Sequence, residues 1–151
     1  MSKAKAVIVD IDNTIANNNH RQEFLSGKKD WEKFFSACDQ DKPITATISI
    51  IKELEKKDLK IVFISGRPNT YFKKTEEWLN KFVDIKKYDL LMRPNKNFND
   101  VVQIKKELLN TIRYKYEIIF ALEDNEDLAK MWENEGIPCM KVPKSLNDIF
   151  N

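Results

Sequence analysis

Glycine is scarce in this chain. Gly27, Gly66 and Gly136 are the only three among 151 residues, so no GxxxxGK run can be read anywhere. That excludes a P-loop, and with it a P-loop kinase domain within this sequence. Cysteine is equally thin. Cys38 and Cys139 are too few for a disulfide framework and read as reduced, buried thiols of a cytoplasmic protein. The one histidine, His20, reads as a solvated loop residue. Long apolar runs are missing too. Nothing approaches the roughly 20 residues of a membrane helix. The opening "MSKAKAVIVD" has too short an apolar run for a secretory leader and ends it at Asp10. No membrane partner is therefore expected. Charge of one sign is not in excess: 26 Lys and Arg face 24 Asp and Glu, a net charge of +2. Such a balance permits a phosphate-bearing partner without providing a strongly basic surface. Repeats and low-complexity linkers are absent as well, and nothing in the sequence announces an oligomeric state.

What is present is ordinary for a globular enzyme or binding module: 42% hydrophobic and 33% charged residues. Five stretches read as strands: "AVIVD" (6–10), "KIVFIS" (60–65), "YDLLM" (88–92), "EIIFALED" (117–124) and "PCMKV" (138–142). Their continuous apolar runs suit strands covered on both faces. Helical spacing fills the intervals. Ile48, Ile51 and Leu54 share a face over 45–57, and Tyr71, Thr75, Trp78 and Phe82 share one over 70–82. Val101, Ile104, Leu108 and Ile112 do so over 99–112, and a last helix over 126–136 ends at Gly136. Strand–helix alternation of this kind predicts an α/β fold. It is a Rossmann-like parallel sheet of about five strands with helices on both faces, in one domain over 1–151. Residues 15–44 break the pattern. They read as a small insertion after the first strand, with one or two short helices and no strand. Trp31, Phe34 and Phe35 within it read as core ahead of a base-stacking platform, and Trp78 and Trp132 as helix core.

In open parallel sheets ligands bind beyond the carboxyl ends of the strands. After the first strand come Asp10, Asp12 and Thr14; after the second, Ser65, Gly66 and Arg67. Lys105 lies near the start of the helix after the third, and Glu123 and Asp124 close the fourth, with Asp127 just beyond as a charge suited to a helix N-terminus. Clustered carboxylates repel, and burial worsens the repulsion. A hard divalent cation relieves it, and Mg²⁺ also accepts phosphate oxygens. Ser65, Arg67 and Lys105 suit a phosphoryl group. One carboxylate can then attack phosphorus, and a second, two residues on, can move the proton. Taken alone, each feature has a plainer reading: a loop cap or structural ion for the aspartates, a turn for Ser65-Gly66, a surface charge for Arg67.

Together, "DIDNT" (10–14), "FISGR" (63–67), Lys105 and "LED" (122–124) resemble the four motifs of the haloacid dehalogenase (HAD) superfamily of phosphotransferases. Further stretches, "SGRPNTYFKKTEEWL", "LLMRP", "DVVQIKKELL" and "LEDNEDLAKMWENEGIPCMKV", together with "NNHRQEF" soon after the first motif, are similar to the phosphatase domain of phage and bacterial polynucleotide kinases. The resemblance implies a Mg²⁺-dependent phosphomonoesterase working through an aspartyl-phosphate and removing 3′-phosphates from DNA or RNA ends. It implies Asp10 as nucleophile and Asp12 as general acid/base, with the Asp12 backbone carbonyl on the metal. Thr14 supports the loop, Ser65 and the neighbouring Gly66 serve a phosphate oxygen, and Arg67 contacts substrate. Lys105 neutralises the phosphorylated aspartate, and Asp10, Glu123 and Asp124 anchor the metal. Residues 15–44 become a small cap, whose His20, Arg21 and Trp31 could flank the terminal sugar and base.

The chain departs from the family pattern at Asn13, where glycine is usual, and at Glu123, where aspartate is usual. Asparagine tolerates a left-handed backbone, so the turn can survive. Lys106 stands beside Lys105 as an alternative. Two other functions share the sequence features: a small-molecule nucleotidase and a non-enzymatic phosphoryl-binding module.

Overall fold

The computed structural model describes residues 2–149. In chain order it contains β1 (Ala4–Val9), β2 (Ala16–Asn17), α1 (Trp31–Ser36), β3 (Lys42–Pro43), α2 (Thr45–Lys56), β4 (Lys60–Pro68), α3 (Phe72–Phe82), β5 (Tyr88–Arg93), α4 (Val101–Ile112), β6 (Tyr116–Glu123), α5 (Glu126–Asn134) and β7 (Cys139–Lys141). Five strands form one parallel sheet in the order β5-β4-β1-β6-β7. The strand order reverses at β1, which lies between β4 and β6.

Alternation along the strands sorts the core into two layers. Val7 and Val9 of β1, with Ile61 and Phe63 of β4, pack against Ile48 and Ile51 of α2 and Trp78 and Leu79 of α3. Ala6, Ile8, Val62 and Ile64 point the other way, onto Ile104, Leu108 and Leu109 of α4 and Leu128, Met131 and Trp132 of α5. Both faces of the central strands are thus dry, which is why their sequences show no polar alternation. Side-chain caps start three of the helices: Asp30 accepts from the Lys33 amide, Asp100 from the Gln103 amide and Asn125 from the Leu128 amide. After α5 the chain turns at Gly136 with φ +82°, the left-handed residue expected there.

Three features differ from the sequence expectation. The insertion is not free of strands: β2 and β3 form a two-residue antiparallel pair, Ala16 opposite Pro43 and Asn17 opposite Lys42, that fastens its two ends. Pairs so short carry no readable period. Next, β4 continues beyond Ser65 to Pro68, with a register shift between those two residues. Such a bulge re-aims side chains at a strand end. Finally, α3 starts at Phe72, because Asn69–Tyr71 wind as a tighter 3₁₀ turn after Pro68. Within the insertion, a 3₁₀ segment (Asn19–Leu25) and α1 match the one or two short helices expected.

Candidate active site

β1 delivers Asp10 to the carboxyl edge of the sheet. Its amide still bonds the Leu122 carbonyl of β6 (3.0 Å), so the residue is held by backbone before its side chain engages anything. The chain then turns through Asn13 at φ +63°, so asparagine does adopt the conformation that glycine usually supplies. This turn sends Asp10 and Asp12 into different electrostatic surroundings.

Asp10 sits among acids. One carboxylate oxygen accepts from Lys105 Nζ at 2.6 Å, the other from the Thr14 hydroxyl at 2.8 Å. Lys105 also donates to Glu123 at 3.0 Å and is almost wholly buried. Its neighbour Lys106 is half exposed and lies near Glu135. The geometry therefore places Lys105, the lysine expected from the sequence, against Asp10 and Glu123 and leaves the alternative, Lys106, outside the cluster. Burial by itself would lower the Lys105 pKa, but the charges of Asp10 and Glu123 outweigh it and raise it. Glu123 is fixed further: its carboxylate accepts from Trp132 Nε1 (3.4 Å) and from the Asp124 amide (3.2 Å).

Oxygens of Asp10, Glu123 and Asp124 all lie within 4.8 Å of one another. Burial, and then the charge of Asp10, push the pKa values of both Glu123 and Asp124 upward. Three carboxylates against a single lysine leave an excess of buried negative charge. The donor set, hard oxygens converging at an open strand edge, fits a divalent cation such as Mg²⁺. The Asp12 side chain lies outside this cluster.

Asp12 sits among cations instead. Arg67 donates to both of its oxygens, at 3.1 and 2.9 Å, and Arg21 donates to one of them. Both arginines are fully buried and both reach Asp41, which is also buried. Arg21 donates further to the Phe34 carbonyl and lies 4.4 Å from the Phe34 ring centroid, and Arg67 donates to the Thr75 hydroxyl. His20 completes the group at 2.7 Å from Asp41. Burial tends to raise the Asp12 pKa, but the charges of Arg67 and Arg21 outweigh it and hold it at about 2.

Several assignments change in this light. The Arg67 guanidinium, expected to contact substrate, is fully buried and bonded to Asp12, Asp41 and Thr75. Arg21, expected to flank a sugar, is buried on Asp12 and Asp41. His20 is no free loop residue, because it is bonded to Asp41. Asp41 had no sequence signal at all: its partners Arg21 and Arg67 lie 20 and 26 positions away. Ser65 is buried, with its hydroxyl accepting from the Arg67 amide at 3.1 Å. At Gly66 a Cβ would fall 2.8 Å from Val101 Cγ2, so the glycine is required by the close approach of α4. Its carbonyl accepts from Arg93 Nε. Of the insertion aromatics, Phe34 is buried as expected, whereas Trp31 is 49% exposed.

The fold and this edge of carboxylates and lysine define a HAD-type phosphatase. A class C acid phosphatase from Bacillus anthracis with tungstate bound shares the architecture at 17% identity and a TM-score of 0.72, covering 97% of this chain and 69% of its own. Residues 4–145 match the description "Polynucleotide kinase PNKP phosphatase domain", and the chain belongs to that family. A protein of Autographa californica nuclear polyhedrosis virus described as a bifunctional polynucleotide kinase/RNA ligase is 32% identical over 138 residues. Those residues are 90% of this chain and 19% of the viral protein. A chain in the structure of the Pnkp1/Rnl/Hen1 complex matches at 34% identity and a TM-score of 0.79, over 95% of this chain and 47% of its own. The chain thus spans under half the length of these relatives.

Proposed function

We propose that this phosphatase is a Mg²⁺-dependent phosphomonoesterase acting on the 3′-phosphates of DNA or RNA ends, with Asp10 as nucleophile and residues 15–44 as a small cap on one domain. The observation that carries the chemistry is the seating of Asp10: an oriented carboxylate at a strand end, held by Lys105 and Thr14 beside a second aspartate two residues on. The relatives that carry kinase and ligase names, and the RNA repair complex named for one of them, support nucleic acid ends as the substrate class.

The residues divide the work as follows. Asp10 attacks phosphorus, and the ester oxygen departs with a proton from Asp12. Asp12, now an anion, accepts a proton from water as that water attacks the phosphorus of the aspartyl-phosphate, which releases inorganic phosphate and restores Asp10. Lys105 balances negative charge on Asp10 throughout. Asp10, Glu123 and Asp124, with the Asp12 backbone carbonyl as a further ligand, would hold a Mg²⁺ ion, which would neutralise charge on the phosphoryl oxygens. A pKa of about 2 keeps Asp12 an anion in the substrate-free protein, the state required for the second step. For the first step, protonation at neutral pH costs about 7 kcal/mol. An arriving phosphate dianion lowers that cost by opposing the two arginines.

The test compares catalytic efficiency on a 3′-phosphate oligonucleotide, its 5′-phosphate isomer and 3′- and 5′-mononucleotides, each with Mg²⁺. The 3′-phosphate oligonucleotide is expected to be hydrolysed most efficiently. Mononucleotides that match or exceed it would replace this reading with a nucleotidase.

A further inference from the structure

A cleft of about 740 Å³ opens beside the catalytic edge, past the carboxyl ends of β4 and β5. One wall belongs to the cap and the 3₁₀ turn before α3. There Trp31 and Phe35 stack with ring centroids 5.9 Å apart and planes 23° off parallel, and Phe35 and Tyr71 repeat the arrangement at 5.9 Å and 28°. Three nearly parallel rings thus stand in a row. The opposite wall is the loop of residues 94–99, which carries Phe98 at 92% exposure.

Phe98 is almost wholly exposed, while Trp31 rests edge-on against buried Phe34 at 5.8 Å and leaves about half its surface open; the loop is not loosely placed. Arg93 Nη1 donates to the Asn97 and Asn99 carbonyls, while Arg93 Nε donates to the Gly66 carbonyl, at the bulge that also carries Ser65. Asn95 accepts from the Thr70 amide and hydroxyl, which ties the loop to the turn before α3. The loop is therefore tied to the same strand end as Ser65. Pro68, in the cleft wall, stands three positions from Ser65. The rim carries both signs of charge: Lys96 and Glu32 line the cleft, and Lys29 Nζ lies 5.6 Å from the Trp31 ring centroid.

Exposed aromatic planes with cations beside them, continuous with a phosphate-handling site, match the way single strands are gripped: rings stack on bases and cations follow the backbone. We infer that this cleft seats the base of the nucleotide that carries the scissile phosphate, on an unpaired strand end, with Trp31 and Phe98 as the stacking faces. The inference rests on the proposed nucleic acid substrate. Because every base has a π-face, the cleft favours a base over none while discriminating weakly among bases.

The test is the ratio of kcat/KM on an oligonucleotide with a base-bearing 3′-phosphate end to kcat/KM on the same strand ending in an abasic 3′-phosphate. It is measured for the wild type, Trp31→Ala, Phe98→Ala and the conservative Trp31→Phe. Taking a ratio within each protein cancels any general loss of activity or folded fraction. Stacking predicts a wild-type ratio of roughly 10 or more, carried mainly by KM. Each alanine variant is expected to bring it toward 1, and Trp31→Phe to keep most of it. A wild-type ratio near 1, or alanine variants that keep the wild-type ratio, overturns the cleft assignment even if oligonucleotides remain the preferred substrates. If oligonucleotides are not preferred, the same ratio for a 3′-mononucleotide against deoxyribose 3-phosphate judges the cleft separately from the substrate reading.

Discussion

Substitution of Asp41 by asparagine offers the sharpest check on the cationic half of the site. Asp12 and Asp41 contribute two negative charges to a buried group that holds two positive ones, Arg21 and Arg67. The amide is nearly isosteric, so Asp41→Asn changes little volume but leaves one buried positive charge uncompensated. At an effective dielectric of about 20, a pair about 4 Å apart attracts by roughly 4 kcal/mol. Asp41 meets two guanidinium groups at 2.7 to 3.1 Å, but its own burial is costly and cancels part of that gain. Removing one partner of a buried pair typically costs about 3–5 kcal/mol. For a domain of this size that corresponds to a Tm lower by roughly 6–20 °C. Denaturant melts of wild type, Asp41→Asn, Arg21→Met and the double variant give the coupling directly. The double variant removes the surplus cation and is expected to be less destabilised than the sum of the singles by about 1–3 kcal/mol. A loss below about 1 kcal/mol in Asp41→Asn, or strict additivity in the cycle, would refute a charge-balanced buried group.

Asp10→Asn is expected to fold normally yet lose hydrolysis, because an amide is a far weaker nucleophile. Retention of more than about a tenth of wild-type kcat removes Asp10 from that role. Lys105→Met should lower kcat at least about 100-fold while Lys106→Met stays within about twofold, and the reverse order would reassign the lysine. Chelation is expected to abolish turnover and Mg²⁺ to restore it; full activity in the metal-free protein contradicts a cation at Asp10, Glu123 and Asp124. The raised pKa values of Glu123 and Asp124, pushed up to about 7 and about 9, carry a linkage sign. The folded metal-free protein keeps a proton that the unfolded chain has lost above about pH 4. Stability is therefore full at low pH and falls as pH rises through the folded values. The metal-free Tm should drop between pH 5.5 and 8. An Asp124→Asn variant should show a shallower slope, and an unchanged slope would show that other groups set it.

The strand and helix framework was legible because β1, β4 and the helix faces each obey one period strongly. The candidate site was legible because Asp10, Ser65 and Glu123 lie at or near the carboxyl ends of their strands, so fold class alone brings them to one edge. What lay beyond reading depends on contacts across long stretches of chain. Arg67 meets Asp12 over 55 positions, and Asp41 has no local pattern to mark it. An arginine just after a strand-end serine looks available for substrate, and only the folded structure reveals that it is bonded to the Asp12 and Asp41 carboxylates. The exposure of Trp31 was equally hidden, because a six-residue helix is too short for a period to say which rings face inward. Lys105 and Lys106 needed the helix itself, where one step along the chain rotates a side chain by about 100°, from the strand ends to the surface.

The manner in which the cap is tied down has a kinetic meaning. Both of its ends are fastened by β2 and β3, and Arg21 and Asp41 bolt its interior to Asp12 and to Arg67. A segment secured by buried ion pairs cannot swing aside at every turnover without exposing those charges. It behaves as a fixed jamb beside a standing doorway. The ordering of Asp12 is thus complete before any substrate arrives.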